Sequence, residues 1–244
     1  MKPVYKRVVI KISGEAIGKD GTGFDSTIIT QVAERIIELN AMGVEVGLVI
    51  GAGNIWRGRQ GAGMDMVPAT ADYMGMLGTV INALCMQDAI ERIGKGRRSD
   101  GSDVMVRVMS AIEMRQLAEL YISRRAQRHL EKGRVVIFAG GTGNPFFTTD
   151  SAAALRAVEI GADAVLLAKN TDYVYDDDPK TNPNAKPLKE ISYIDVLNRG
   201  LRVMDNTALT ISMDNHIPIY CFALKDTQNI IRIACGEKIG TVVS

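Results

Sequence analysis

Aromatic residues make up only 5% of the chain, with a single tryptophan, too few for a platform that stacks single-stranded bases. Charge of one sign is also lacking: 29 Lys and Arg stand against 28 Asp and Glu, so no bulk pull toward nucleic acid or an anionic membrane is implied. The three cysteines, Cys85, Cys221 and Cys235, are odd in number, far apart and free of any C-x-x-C spacing. They read as buried thiols of a reducing compartment, not as disulfide partners. Histidine is nearly absent, and His129 and His216 sit in no metal-ligating pattern, which excludes a structural zinc site. No apolar run reaches the ~18 residues that a membrane helix needs. The stretch Met1-Lys-Pro-Val-Tyr-Lys-Arg7 has no apolar signal-peptide core. These absences predict a cytoplasmic protein with neither nucleic acid nor membrane as partner.

What the chain does have is core. Hydrophobic residues are 46% of 244, enough for one large α/β domain. Short apolar runs predict strands at Val8–Ile12, Val44–Ile50, Val104–Val108, Arg134–Ala139, Asp163–Ala168, Ile217–Phe222 and from Thr241. Between them, helical spacing predicts helices from Asp25 or Ser26 to Gly43, over Ala71–Ile93, Ile112–Leu130 and Ser151–Ile160, after Ser192 and Asp205, and up to Cys235. The Ala71–Ile93 helix is apolar almost all round and reads as buried, against the core or another subunit. Residues 59–70 and the polar 94–103 stretch read as loops. Strands alternating with helices predict an α/β fold, a three-layer α/β/α sandwich with a mainly parallel central sheet.

Four strands share one design, an apolar run whose carboxyl end opens into glycine or polar residues. They open at Lys11, Gly51, Gly140 and Lys169. Ligands bind at the carboxyl ends of strands in open α/β sheets, so four such ends predict one cleft. The familiar nucleotide motifs fail. Gly14-Glu-Ala-Ile-Gly18-Lys19-Asp20 has three residues between its glycines and no Ser or Thr after the lysine, so it is no Walker loop. Gly51-Ala-Gly53-Asn-Ile-Trp56 carries Trp56 where a dinucleotide fingerprint needs its third glycine.

The charged residues beside the glycines point to phosphate. Lys11 lies inside an apolar strand and needs an anion partner, unless it snorkels at an edge. Arg57 suits bidentate phosphate oxygens, or forms a surface ion pair. Asp150 and Asp72 stand at helix starts, as caps or as functional carboxylates. The Asp176-Asp-Asp178 run is either a solvated loop or a hold for Mg²⁺ or ribose. Gly140-Gly-Thr-Gly-Asn-Pro-Phe-Phe-Thr-Thr-Asp150 joins a strand to a helix, where backbone N–H groups can hold an anion. No Ser–His or Cys–His pair stands out. An acceptor that is already a phosphate (second pKa ~6) needs cations and alignment, not a general base.

The runs Lys11-Ile-Ser-Gly-Glu-Ala16, Gly51-Ala-Gly-Asn-Ile-Trp-Arg-Gly58, Asp72-Tyr-Met-Gly-Met-Leu77, Arg107-Val-Met-Ser-Ala-Ile112, Gly141–Asp150 and Arg202-Val-Met-Asp205 together resemble the bacterial UMP kinases (uridylate kinases) of the amino acid kinase superfamily. The resemblance covers almost the whole chain, and Thr142–Asp150 is its most specific part. It implies a single amino acid kinase domain over 1–244, with an acceptor-binding lobe over about 1–160 and an ATP-binding lobe over about 161–244. The implied activity is phosphorylation of UMP to UDP by Mg-ATP in pyrimidine nucleotide biosynthesis.

By that resemblance Lys11, Ile12, Ser13 and Gly14 contact the ATP phosphates, and Gly53 and Arg57 also serve them. Lys169, Tyr175 and Asp178 hold the adenine and ribose side. Ala52, Asp72 and the loop Thr142, Gly143, Asn144, Pro145, Phe146, Phe147, Thr148 and Thr149 bind UMP. Lys11, Arg57 and Asp150 are the catalytic set, with Asp150 orienting the lysine. Mg²⁺ is carried by ATP, without a metal site of the protein's own. A homohexamer is implied, activated by GTP and inhibited by UTP. Three departures from the family pattern stand out: Ala52 replaces a more usual glycine, Tyr173 stands where glycine is common, and the polar 94–103 loop is long and insertion-like. The rival readings are a carbamate or amino-acid carboxylate kinase of the same superfamily, and a non-catalytic nucleotide-binding regulator on the same fold.

Overall fold

The computed structural model describes residues 2–20, 23–177, 181–182, 184–201 and 203–244. Its sheet grows outward from β1 (Arg7–Ile12), a valine- and isoleucine-rich run that suits a strand buried on both faces. β1 lies between β2 (Glu45–Ile50) and β6 (Ala164–Lys169), parallel to both. Beyond β2 follow β5 (Val135–Ala139), β3 (Val106–Ser110) and the short β4 (Glu119–Leu120), all parallel. Beyond β6 come β10 (Ile219–Ala223), parallel, and then β11 (Thr241–Val243), antiparallel to β10. β9 (Glu190–Ile191) closes that edge, giving the order β4-β3-β5-β2-β1-β6-β10-β11-β9. β7 (Val174–Tyr175) and β8 (Pro187–Leu188) form a separate antiparallel pair.

Two helical layers cover the sheet. On one face α1 (Ser26–Ala41), α3 (Pro68–Ile93) and α8 (Asn229–Ala234) pack against Val8, Ile10 and Ile12 of β1. On the other, α4 (Ser123–Glu131), α5 (Thr149–Ile160), α6 (Tyr193–Asn198) and α7 (Asn206–Asp214) pack against Val9 and Val49. A further short helix, α2 (Gly58–Ala62), precedes α3. Strand side chains alternate between faces, so Lys11 shares the α5 side with Val9. The order of strands reverses beside β1, which places a crevice at the carboxyl ends of β1, β2 and β6.

The expected three-layer α/β sandwich is present, with two local corrections. Residues 112–130 were expected to form one helix, yet only Ser123–Glu131 is helical. Pairing of Met109 with Glu119, and the bond from Tyr121 N to Ser110 O at 2.9 Å, draw 119–121 to the sheet edge. Sheet pairing there overrides local helical spacing. Residues 59–70 are not all loop: α2 occupies part, and α3 begins at Pro68, whose fixed φ suits a first helical turn. The 94–103 stretch is tied down, with Gly96 N donating to Asp103 Oδ1 at 2.8 Å and Arg98 Nη1 to Gly133 O at 2.8 Å. The expected caps Asp25, Ser192 and Asp205 each accept bonds from the first turns of α1, α6 and α7.

Candidate functional site

The crevice floor is built by backbone meeting backbone. β1 runs into a 3₁₀ turn at Gly14–Ile17, and β2 into the loop from Gly51. A Cβ on Gly14 would drive into the Gly51 carbonyl and stand 2.6 Å from both Gly53 N and Asn54 Oδ1. Only glycine permits that approach. Ile12 and Ser13 lead into the turn, with the Ile12 side chain buried in the core, so Ile12 can present only backbone.

Lys11, 7% exposed, holds its Nζ 2.6 Å from Asp150 Oδ1. A buried lysine is costly without such a partner. Asp150 lies in the first turn of α5, where the helix dipole also favours its charge. Thr148, not Asp150, is the cap: its Oγ1 accepts from Asp150 N at 3.0 Å and from Ser151 N at 3.3 Å. Arg57 Nη2 reaches Glu15 Oε1 at 2.9 Å, and its Nε donates to Gly53 O at 3.1 Å. Arg57 is thus laid over the two turns that Lys11 and Gly53 flank.

Helix α3 backs these loops. Its Thr79 Oγ1 accepts from Gly140 N at 2.9 Å, and its Asn82 Nδ2 donates to Gly51 O at 2.6 Å. Near its start, Asp72 Oδ2 accepts from Phe146 N at 2.8 Å. Ala52, the departure noted above, packs its methyl into the gap left by Gly78, where a Cβ would stand 2.9 Å from Ala52 Cβ. The larger residue is therefore absorbed on the α3 side.

The loop from Gly140 forms the opposite rim. Gly140 has φ 73° and its Cβ position lies 3.0 Å from Ser110 Oγ, so a side chain there would be both strained and crowded. Thr142 Oγ1 braces the turn, accepting from Asn144 N at 3.3 Å and donating to Asn144 O at 3.2 Å. Gly143 and Pro145 are half-buried, while Asn144, Phe146 and Phe147 are exposed. Thr149 Oγ1 lies beside Gly51, which joins the rim to the floor.

Arg156 of α5, which sequence reading missed, is 4% exposed and supports this loop from beneath. It donates to Gly141 O at 3.2 Å, pairs with Glu159 at 2.6 Å and lies 3.9 Å over the Tyr121 ring. Burial, first, and the bond to Glu159 push the Tyr121 phenol up.

On the far side of β1, Lys169 ends β6 and donates to the Val203 carbonyl. Tyr175 lies on β7, paired with Pro187. Asp178, and Arg202 of the sixth motif, fall outside the described residues. Asp205 ties α7 to α5, accepting from the Thr148 hydroxyl and from Ser151 Oγ at 2.8 Å. Burial raises its carboxyl, but hydrogen bonds from Thr148, Ala208 N and Ser151 outweigh it and hold the group below its ordinary value. Among the described residues, no group of three or more His, Cys, Asp or Glu side chains is arranged to hold a metal ion.

Asn54 and Asn82 also escaped the sequence reading. Their signal was present in Asn82, a carboxamide inside an otherwise apolar helical stretch.

Parallel strands whose carboxyl ends converge on a buried lysine, two interlocked glycine turns and a helix N-terminus define an α/β phosphate-handling protein. Residues 6–223 match the amino acid kinase family. The structure of UMP kinase from Bacillus anthracis is 38% identical, covering 98% of this chain and 96% of its own, with a TM-score of 0.91. UMP kinase from Ureaplasma parvum is 37% identical, with both chains covered fully and a TM-score of 0.89. Uridylate kinase from Archaeoglobus fulgidus is 27% identical, covering 97% of this chain and 99% of its own, with a TM-score of 0.73. The chain belongs to the amino acid kinase family.

Proposed function

We propose that the chain is a UMP kinase, transferring the γ-phosphoryl group of ATP to the phosphate of UMP to give UDP. The observation that carries this reading is the seating of Lys11 between two glycine turns, opposite the Thr142–Thr149 rim, in a chain that matches two UMP kinases almost end to end. Mg-ATP is the donor substrate. Lys11 and Arg57, with the N–H groups of Ser13, Gly14 and Gly53, face the phosphates and offset charge that develops in the in-line transfer. Asp150 aims the lysine. Ala52, Asp72 and residues 142–149 hold UMP, while Lys169, Tyr175 and Asp178 hold the adenosine end. The acceptor lobe runs to about residue 160, and the ATP lobe follows.

Assembly and setting belong to the same proposal. Tyr73, Leu77 and Ile81 form a stripe of i, i+4 spacing on α3, exposed by 45%, 49% and 48%. Such a stripe fits an interface between copies, and a homohexamer activated by GTP and inhibited by UTP is the form we assign. The three cysteines are free, which fits a reducing cytoplasm and a place in pyrimidine nucleotide synthesis. One coupled assay with Mg-ATP and UMP, CMP, carbamate or N-acetylglutamate as acceptor tests the reading. Turnover with UMP above the rest is expected. No turnover with UMP refutes it, and turnover with a small carboxylate transfers the chain to another branch of the family.

A further inference from the structure

Asn82 lies wholly buried in the middle of α3, and Asn54, 5% exposed, lies in the loop after β2. Their carboxamides pair reciprocally. Asn54 Nδ2 donates to Asn82 Oδ1 at 3.0 Å, and Asn82 Nδ2 donates to Asn54 Oδ1 at 2.8 Å. Each amide then spends its second N–H on backbone. Asn82 donates to Gly51 O at 2.6 Å, and Asn54 donates to Gly23 O at 2.7 Å. Gly23 N returns a bond to Asn54 O at 2.9 Å. Every polar atom of the pair is satisfied, which is the condition for burying two amides at low cost.

The partners of this pair are what give it meaning. Gly51 O and Asn54 Oδ1, together with Gly53 N, are the atoms that leave Gly14 no room for a side chain. Gly53, between them, accepts from Arg57 Nε. The position of the Lys11–Gly14 turn, of Gly53 N and of Arg57 thus depends on where Asn82 holds the 51–54 loop. An apolar residue at 82 could fill the space, but it could not fix the loop in register.

We infer that Asn82 is a positioning residue for phosphoryl transfer, acting through Gly51 and Asn54, with no contact to either substrate. The inference rests on the kinase reading. Misplacement of reacting groups by about 1 Å costs on the order of 10²-fold in rate. Asn82→Ala is therefore expected to lower kcat by about 10²-fold, while KM for ATP and for UMP moves less than about fivefold. Asn82→Asp should lose as much, because a carboxylate of the same shape cannot donate to Gly51 O. Asn54→Ala, which leaves that bond, should lose about tenfold.

The control is Ile90→Ala, a fully buried core position on the same helix, about two turns beyond Asn82. It should lower the melting temperature and keep kcat within about twofold, assayed well below both midpoints. Hydrogen exchange of peptide 50–57 gives a readout independent of turnover, expected to quicken about tenfold in Asn82→Ala but not in Ile90→Ala. Wild-type kcat or unchanged exchange in both Asn82 variants overturns the inference, as does an equal kcat loss in Ile90→Ala. If neither Asn82 variant folds, Asn54→Ala decides, and wild-type kcat with unchanged exchange in that variant overturns it. A wild-type enzyme silent on UMP would sink the kinase reading instead, with exchange still deciding whether Asn82 positions the loop.

Discussion

Lys11, at the floor of the cleft, is 7% exposed, while Phe146, at its rim, is 73% exposed. The floor is made of glycine turns with no space for a methyl group, a buried ion pair and two buried amides. The rim is a loop whose aromatic side chains stand in solvent and which α3 holds by two backbone N–H groups, Gly140 N on Thr79 and Phe146 N on Asp72. The contrast separates two tasks. Transfer of a phosphoryl group needs charges fixed before the substrate arrives, because reorganisation adds to the barrier. Choice of acceptor can be left to side chains that order around it, at an entropic cost in affinity.

Substitutions at the floor should therefore alter turnover, and those at the rim should alter acceptor binding. Lys11→Ala should show the largest effect, a fall in kcat of about 10²-fold or more with UMP KM little changed, read in a UDP-release assay. It also strands Asp150, so the melting temperature should drop. Adding Asp150→Ala should recover stability but no activity, and wild-type turnover in Lys11→Ala would erase the distinction drawn above. Asp72→Asn should raise UMP KM about tenfold with ATP KM unchanged, from the weakened hold on both loop and acceptor. A change in ATP KM alone would move Asp72 to the donor side.

Asp205 tests the joint between α5 and α7. Its folded-state carboxyl lies below the ordinary 3.8, so its contribution to stability is present above that value and lost as pH falls through the folded value. Wild type should thus melt higher than Asp205→Asn near pH 7, and the gap should narrow once pH drops below 3.8. A gap that widens in acid would reverse the sign. Phe147→Ala, at 49% exposure, should change stability by only about 0.5 kcal/mol yet blur discrimination between UMP and CMP in competition assays. Unaltered selectivity would show that the rim aromatics do not read the base.

The central strands were legible because apolar runs ending in glycine leave a local trace, and Lys11 stood out as a charge within such a run. Its tie to Asp150 follows from the family resemblance alone, because nothing in local spacing links positions 11 and 150. Residues 112–122 were misread because their partners at the sheet edge are not encoded in local spacing. β4, β7, β8 and β9 are two residues each, too short for a period. Asn82 was passed over for another reason. Its meaning lies in residues 28 and 31 positions away, and a single carboxamide in an apolar helix does not say which backbone it holds.

Ile81 and Asn82 are consecutive on α3, one turned to solvent and the other to the 51–54 loop. The same helix grips Gly140 through Thr79 and Phe146 through Asp72. A copy of the chain seated on the outer stripe would fix the roll of this helix about its axis, and with it the aim of its three contacts to Gly51, Gly140 and Phe146. Protein concentration then becomes a variable of catalysis. Specific activity should fall on dilution in step with particle size, and a flat profile across that dissociation would show that the helix keeps its roll alone.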